Sequence, residues 1–173
     1  MYDIAVIILL MGVQGSGKTT VGRALAARLK WRFADADDFH PPENIAKMSA
    51  GIALTDEDRA PWLAALRREI DRSVSEKQNL VLTCSALKEK YRQQLVISGV
   101  ALVYLRGSRD LIAARLQSRT MHFAKLNLLE SQFQQLEEPQ NALVVDIEHP
   151  VDEVVKQIML SIGLQRDEER KDC

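Results

Sequence analysis

The sequence predicts an α/β fold: a three-layer α/β/α sandwich around a five-stranded parallel sheet, with a helical lid. Three observations carry this. Apolar runs alternate with helix-patterned stretches, the order that gives parallel strands joined by right-handed helical crossovers. Several runs are nearly continuous Val, Ile and Leu, as strands covered on both faces require. The first run passes straight into a glycine-rich loop and then a helical stretch.

The first strand is read at 4–11, Ile4 to Met11. It runs into Gly12-Val13-Gln14-Gly15-Ser16-Gly17-Lys18-Thr19, the phosphate-loop pattern GxxxxGK[ST], and a helix follows at 17–29. Strand, glycine loop and helix form the context that gives the pattern meaning. The second strand, 31–35, ends in the acidic stretch Asp35 to His40. Helices are expected at 43–49 and 57–76, the latter started by Thr55 with acids in its first turn. A third strand at 79–84 precedes a helix at 86–97, and a fourth at 100–106 precedes a helix at 108–118. A helix at 127–136, a fifth strand at 142–147 and a helix at 150–162 complete the order. Pro150 suits the first turn of that last helix and Gly163 its end. Residues 1–164 read as one domain, and 165–173 as a charged tail expected to fray.

Composition narrows the function. The 173 residues suit one domain with a full core. A net charge of −1 gives no basic footprint for nucleic acid. The longest apolar run is too short to cross a bilayer. Residues 1–11 carry Asp3 and no basic leader, so they read as a strand rather than a signal peptide. Cys84 and Cys173 fit neither a zinc site nor a disulfide framework, which favours a reducing, cytoplasmic setting. Cys84 reads as a small core residue.

In open parallel sheets, ligands collect beyond the carboxyl ends of the strands. The loop from Gly12 to Thr19 would wrap a nucleotide phosphate with its N–H groups, Thr20 continuing into the helix. Lys18 would reach the β- and γ-phosphates, and the Thr19 hydroxyl would bind Mg²⁺. Asp35 is assigned to the water shell of Mg²⁺. Asp37 is assigned to the acceptor hydroxyl, and Asp38 to the surface. An acidic loop that caps the next helix is the alternative. His40 either fills a gap or hydrogen-bonds a polyol. Arg59 either joins a surface ion-pair network or holds an anionic group. Lys88 and Arg92, four apart, would share one helical face toward an acidic substrate or toward solvent. Ser85 is read as a helix cap or a contact to Mg²⁺-bound water, and Trp62 as core. Arg115 and Arg119 fit a lid at about 118–127 that brings charge over the phosphates, with His122 beside the acceptor. The turn at 146–150, with His149, would border adenine.

These residues resemble the gluconate kinases, phosphate-loop small-molecule kinases related to shikimate and adenylate kinases. The resemblance spans the first strand to about residue 160. It rests on Met11-Gly12-Val13 through Lys18, Asp35-x-Asp37 with His40-Pro41, and Lys47-Met48 with Gly51 and Leu54. It continues through Asp58-Arg59-x-Pro61-Trp62-Leu63, Cys84-Ser85-Ala86-Leu87-Lys88 with Tyr91-Arg92, and Arg119-x-x-His122-Phe123. Ser131-Gln132-Phe133, Leu136-Glu137, Pro139 and Val144-Val145-Asp146 close it. The resemblance implies transfer of the ATP γ-phosphate to the 6-hydroxyl of D-gluconate, a substrate-binding helical segment near 41–75, and a homodimer. It implies ATP and Mg²⁺ at Lys18 and Thr19, the acceptor at Asp37, the substrate carboxylate at Arg59, and the lid at Arg119. Gln14, Ala53 and Met121 depart from the family's usual serine, proline and glycine. A kinase for another small acceptor, such as shikimate or a nucleoside monophosphate, is the nearest alternative. A nucleotide-binding regulatory protein without phosphotransfer is a further one.

Overall fold

The computed structural model describes residues 5–118 and 123–164, with the backbone alone for 123–127. Its strands are β1 (Ile7–Met11), β2 (Arg32–Asp35), β3 (Leu80–Thr83), β4 (Val100–Arg106) and β5 (Leu143–Asp146). All pair in parallel, in the order β2-β3-β1-β4-β5. The helices are α1 (Lys18–Leu29), α2 (Pro42–Ser49), α3 (Asp56–Ser75), α4 (Glu89–Leu95), α5 (Arg109–Gln117), α6 (Phe123–Gln135) and α7 (Val151–Ile162).

The central strand shows why the sheet is covered on both faces. Side chains of β1 alternate between two cores, as the period of a strand dictates. Ile8 and Leu10 pack with Leu25 of α1, Ile112 of α5 and Ile158 of α7. Ile7, Leu9 and Met11 pack with Trp62, Leu66 and Ile70 of α3 and Leu95 of α4. Every residue of β1 is buried, which accounts for its unbroken apolar run.

Most boundaries shift by a single residue, and four departures from expectation are larger. The first strand begins at Ile7, after Val6 has given its N–H to Asn79 Oδ1 at 2.8 Å. Residues Ala36–Phe39, expected as loop, form a 3₁₀ turn capped by Asp35, whose Oδ1 accepts from Asp37 N–H. The helix expected from 86 begins at Glu89, because Ala86 adopts a left-handed backbone (φ 44°) and Lys88 is extended. The helix expected from 127 begins at Phe123, so half of the expected lid is helical. Elsewhere the chemistry reads as anticipated. Thr55 and Asp58 form a reciprocal capping box at α3. Gly163 ends α7 at φ 74°. Pro150 stands one place earlier than expected, as the N-cap of α7. The described residues contain no helix long and apolar enough to cross a membrane.

Candidate active site

The loop between β1 and α1 is shaped by its glycines at two positions. A Cβ at Gly12 would stand 2.9 Å from the Leu105 carbonyl oxygen, so only glycine lets the loop leave β1 against β4. Gly17 caps α1 with φ 90°. The Lys18 ammonium folds over the loop and donates to the carbonyls of Gly12 (2.9 Å) and Val13 (3.0 Å). Burial lowers its pKa, against the opposing pull of Cys84, Asp37 and Asp35. Gln14, Gly15 and Gly17 are half-buried, Ser16 is buried, and Thr19 and Thr20 are exposed at the start of α1.

The acidic stretch after β2 arrives at the same place. Thr19 Oγ1 donates to Asp35 Oδ2 at 2.8 Å, joining the first crossover to the second. Asp37, exposed at the rim, has its pKa raised, first by desolvation of the carboxyl and next by Asp35, with Lys18 and His40 opposing. One hydroxyl and one carboxylate suit Mg²⁺, which takes its remaining ligands from water and phosphates. Among the described residues no cluster of three or more His, Cys, Asp or Glu could hold a metal unaided.

A third wall comes from α2, α3 and the turn before α4. His40 stacks on Trp62, ring centroids 4.4 Å apart and planes 8° from parallel, and Trp62 Nε1 donates to the Ala36 carbonyl at 2.7 Å. Trp62 is thus core, as expected, and also the platform for His40. Arg59 is half-buried. It donates to the Leu54 carbonyl (2.7 Å) and the Tyr91 hydroxyl (3.3 Å), with its guanidinium over the Tyr91 ring. Tyr91 in turn donates to Asp56, which also pairs with Lys90 and Lys88. The hydrogen bonds from Lys90 and Tyr91 lower Asp56 to about 2.

Lys88 and Arg92 do not share an open helical face. Lys88 lies outside the helix as its N-cap, whereas Arg92 is 2% exposed and committed to the turn. The Arg92 guanidinium donates to the carbonyls of Ala86 and Leu87, both at 2.9 Å, and to Glu89. It clasps the left-handed turn, with four of its five N–H groups engaged within the chain. Ser85 caps no helix, since α4 starts later. Cys84 is buried and its thiol is pushed up to about 12 by burial, which fits a core residue.

Two tying residues escaped the sequence reading of the site. Gln132 of α6 accepts the Gln14 N–H at 2.6 Å, fastening that helix to the phosphate loop. Glu137 accepts the Glu89 N–H at 2.6 Å, while its own N–H reaches the Leu87 carbonyl at 2.9 Å. Both lie in strings that carried the resemblance, but side-chain capping across more than forty residues leaves no local periodicity to detect. Arg115 donates to the Ile147 carbonyl, so α5 and the turn after β5 are joined as a unit. Arg119, His122 and Met121 lie outside the described residues, as do Cys173 and the tail from 165.

The shikimate kinase family model matches residues 14–162. The chain is 41% identical to a probable gluconokinase of Mus musculus, over 88% of this chain and 95% of that one. It is 43% identical to the thermosensitive gluconokinase of Escherichia coli K12, over 86% and 83%. A crystal structure of a gluconokinase from Sinorhizobium meliloti 1021 superposes with a TM-score of 0.82 at 40% identity, covering 92% of this chain and 93% of that one. The chain belongs to the gluconokinases, within the shikimate kinase family. That membership carries a kinase activity and use of ATP. The gluconokinase fold brings together Lys18, Thr19, Asp35, Asp37, His40 and Arg59, all expected at the site. It assigns Arg92 to scaffolding.

Proposed function

We propose that the chain transfers the γ-phosphate of ATP to the 6-hydroxyl of D-gluconate, giving 6-phospho-D-gluconate and ADP. The observation that carries this reading is the joining of the two crossovers, by the 2.8 Å bond from Thr19 to Asp35 with Asp37 alongside. An anion cradle and an acceptor carboxylate then face one pocket, which is what phosphoryl transfer requires. The acceptor itself is drawn from the names of the relatives and from Arg59, which suits a carboxylate.

In this reading the loop amides and Lys18 hold the triphosphate. Thr19, and Asp35 through water, hold Mg²⁺, which when bound neutralises charge on the phosphates. Asp37 orients the acceptor hydroxyl and takes its proton. Arg59, Lys88 and His40 position gluconate, with His122 from the lid. Arg119 stabilises charge on the transferred group, Arg115 contacts the nucleotide, and the 146–150 turn borders the adenine. Positioning and electrostatics supply most of the rate. The reading extends to a homodimer, as the resemblance implies, in the reducing cytoplasm that the two cysteines favour.

The match to the shikimate kinase model favours a second acceptor class, a cyclic hydroxy acid. A panel of sugar acids and shikimate with ATP and Mg²⁺, the product identified by mass and by position of phosphorylation, separates the two. Turnover confined to gluconate at its 6-hydroxyl is the expected result. Turnover of shikimate with none of gluconate ends the reading.

A further inference from the structure

We propose that Asn44 fixes His40 as a neutral imidazole with its proton on Nε2, so that His40 meets the acceptor as a hydrogen-bond donor and not as a base. This rests on the proposed acceptor pocket for its function, and on four contacts for its geometry. Asn44 lies in the first turn of α2 and is 2% exposed. Its amide orientation is fixed by the Asp58 main-chain carbonyl, an oxygen that can only accept, to which Nδ2 donates at 2.8 Å. The same Nδ2 faces His40 Nδ1 at 3.4 Å. The plane of the ring is held by its stack on Trp62, which the Ala36 carbonyl holds in turn.

A donor opposite Nδ1 makes that nitrogen the acceptor, and a neutral imidazole then carries its proton on Nε2. Protonating both nitrogens would set N–H against N–H in a partly buried contact, an arrangement with no compensating bond. The charges facing the ring are divided. Asp37 favours the cation, Arg59 opposes it, and partial burial adds to the opposition and prevails. His40 and Asp37 therefore present complementary functions to one hydroxyl. Asp37 accepts its proton, while Nε2–H donates to a lone pair of the same or a neighbouring oxygen. A vicinal polyol satisfies both, so Asn44 acts as a positioning residue for recognition of that acceptor class.

The test is a long-range ¹H–¹⁵N spectrum of the full chain, with the His40 signals identified by their loss in His40→Gln. A pyridine-like Nδ1 and a pyrrole-like Nε2 at neutral pH are expected. An Nδ1–H tautomer, a tautomer mixture or a cationic ring in the unaltered protein overturns the proposal. In Asn44→Asp a carboxylate replaces the donor, so the proton of the neutral ring should move to Nδ1 and Nε2 should cease to be a donor. KM for gluconate should then rise about tenfold, the loss of roughly one hydrogen bond, with KM for ATP unchanged. Equal changes in both constants would mean a general loss of structure and would overturn the positioning role. Asn44→Ala, which frees the tautomer without adding charge, applies the same kinetic test should the aspartate variant not fold. A fixed Nε2–H tautomer in a protein that does not phosphorylate gluconate would refute the proposed acceptor and leave the tautomer assignment standing.

Discussion

A carboxyl group that takes a proton from an alcohol must be ionised when the alcohol arrives, and at Asp37 the protein works against that ionisation. Desolvation and the neighbouring Asp35 raise its pKa above the ordinary 3.8. Two consequences have opposite signs. For activity, the acid limb of kcat/KM should lie above the ordinary carboxylate range, since the free enzyme must hold Asp37 deprotonated. For stability, a raised folded pKa means a contribution fully present below 3.8 and lost as pH rises through the folded value. At neutral pH, ionised Asp37 is therefore a net strain on the fold. Asp37→Asn should lower kcat by about 10²-fold or more while raising the thermal midpoint, by something on the order of 1–2 °C. Turnover rates and melting curves on the same samples check both. An Asp37→Asn protein with lowered midpoint and full activity would remove Asp37 from the mechanism. The placement of Asp37 beside Asp35 and Lys18 was legible in the sequence because three carboxylates directly after a strand end are a local signal. The fate of Arg92 was not. Its spacing from Lys88 implied a shared face, and only the left-handed Ala86 shows that the helix has yet to begin at Lys88.

Elements place Arg59, not its own preferences. The capping box at Thr55 and Asp58 fixes where α3 starts, and Lys47 of α2 reaches Asp58 at 2.7 Å to bind the two helices together. Arg59 follows one residue later and leans on Tyr91 of α4, whose hydroxyl passes the interaction on to Asp56. The chain Arg59, Tyr91, Asp56 thus spans α3 and α4. Tyr91→Phe keeps the ring under the guanidinium and deletes only the hydroxyl. KM for gluconate should rise about fivefold, as the loss of one modest hydrogen bond predicts, with KM for ATP unchanged. Steady-state kinetics in both substrates decide it, and an unchanged gluconate KM would show that Leu54 alone suffices to hold Arg59. Helices and strands themselves were largely readable, because both covered faces of the sheet demand long apolar runs. The 3₁₀ turn at Ala36–Phe39 was not, since a cap from Asp35 to Asp37 N–H competes locally with an open acidic loop.

At the scale of the whole molecule, α6 acts as a crossbar over the carboxyl end of the sheet. Gln132 fastens it to the phosphate loop after β1, and just beyond its end Glu137 fastens the chain to the turn after β3. The phosphate loop, α6 and the start of α4 are thereby joined through two side chains. Substituting Gln132 separates the mechanical part of this tie from its electrostatic part. Gln132→Ala removes the acceptor from Gln14 N–H. It should cost about 1 kcal/mol, a fall of about 2–4 °C in the thermal midpoint for a chain of this size. Gln132→Glu keeps an acceptor in place and so should keep most of that midpoint. It also sets a negative charge beside the loop that receives a triphosphate. ATP affinity should therefore fall in Gln132→Glu, and fall most at low ionic strength, where the repulsion is least screened. Calorimetric titration with ATP at two salt concentrations, alongside melting curves, resolves the pair. A glutamate variant that binds ATP as tightly as the unaltered protein at low salt would place the bound phosphates away from Gln132 and reduce the crossbar to a purely structural tie.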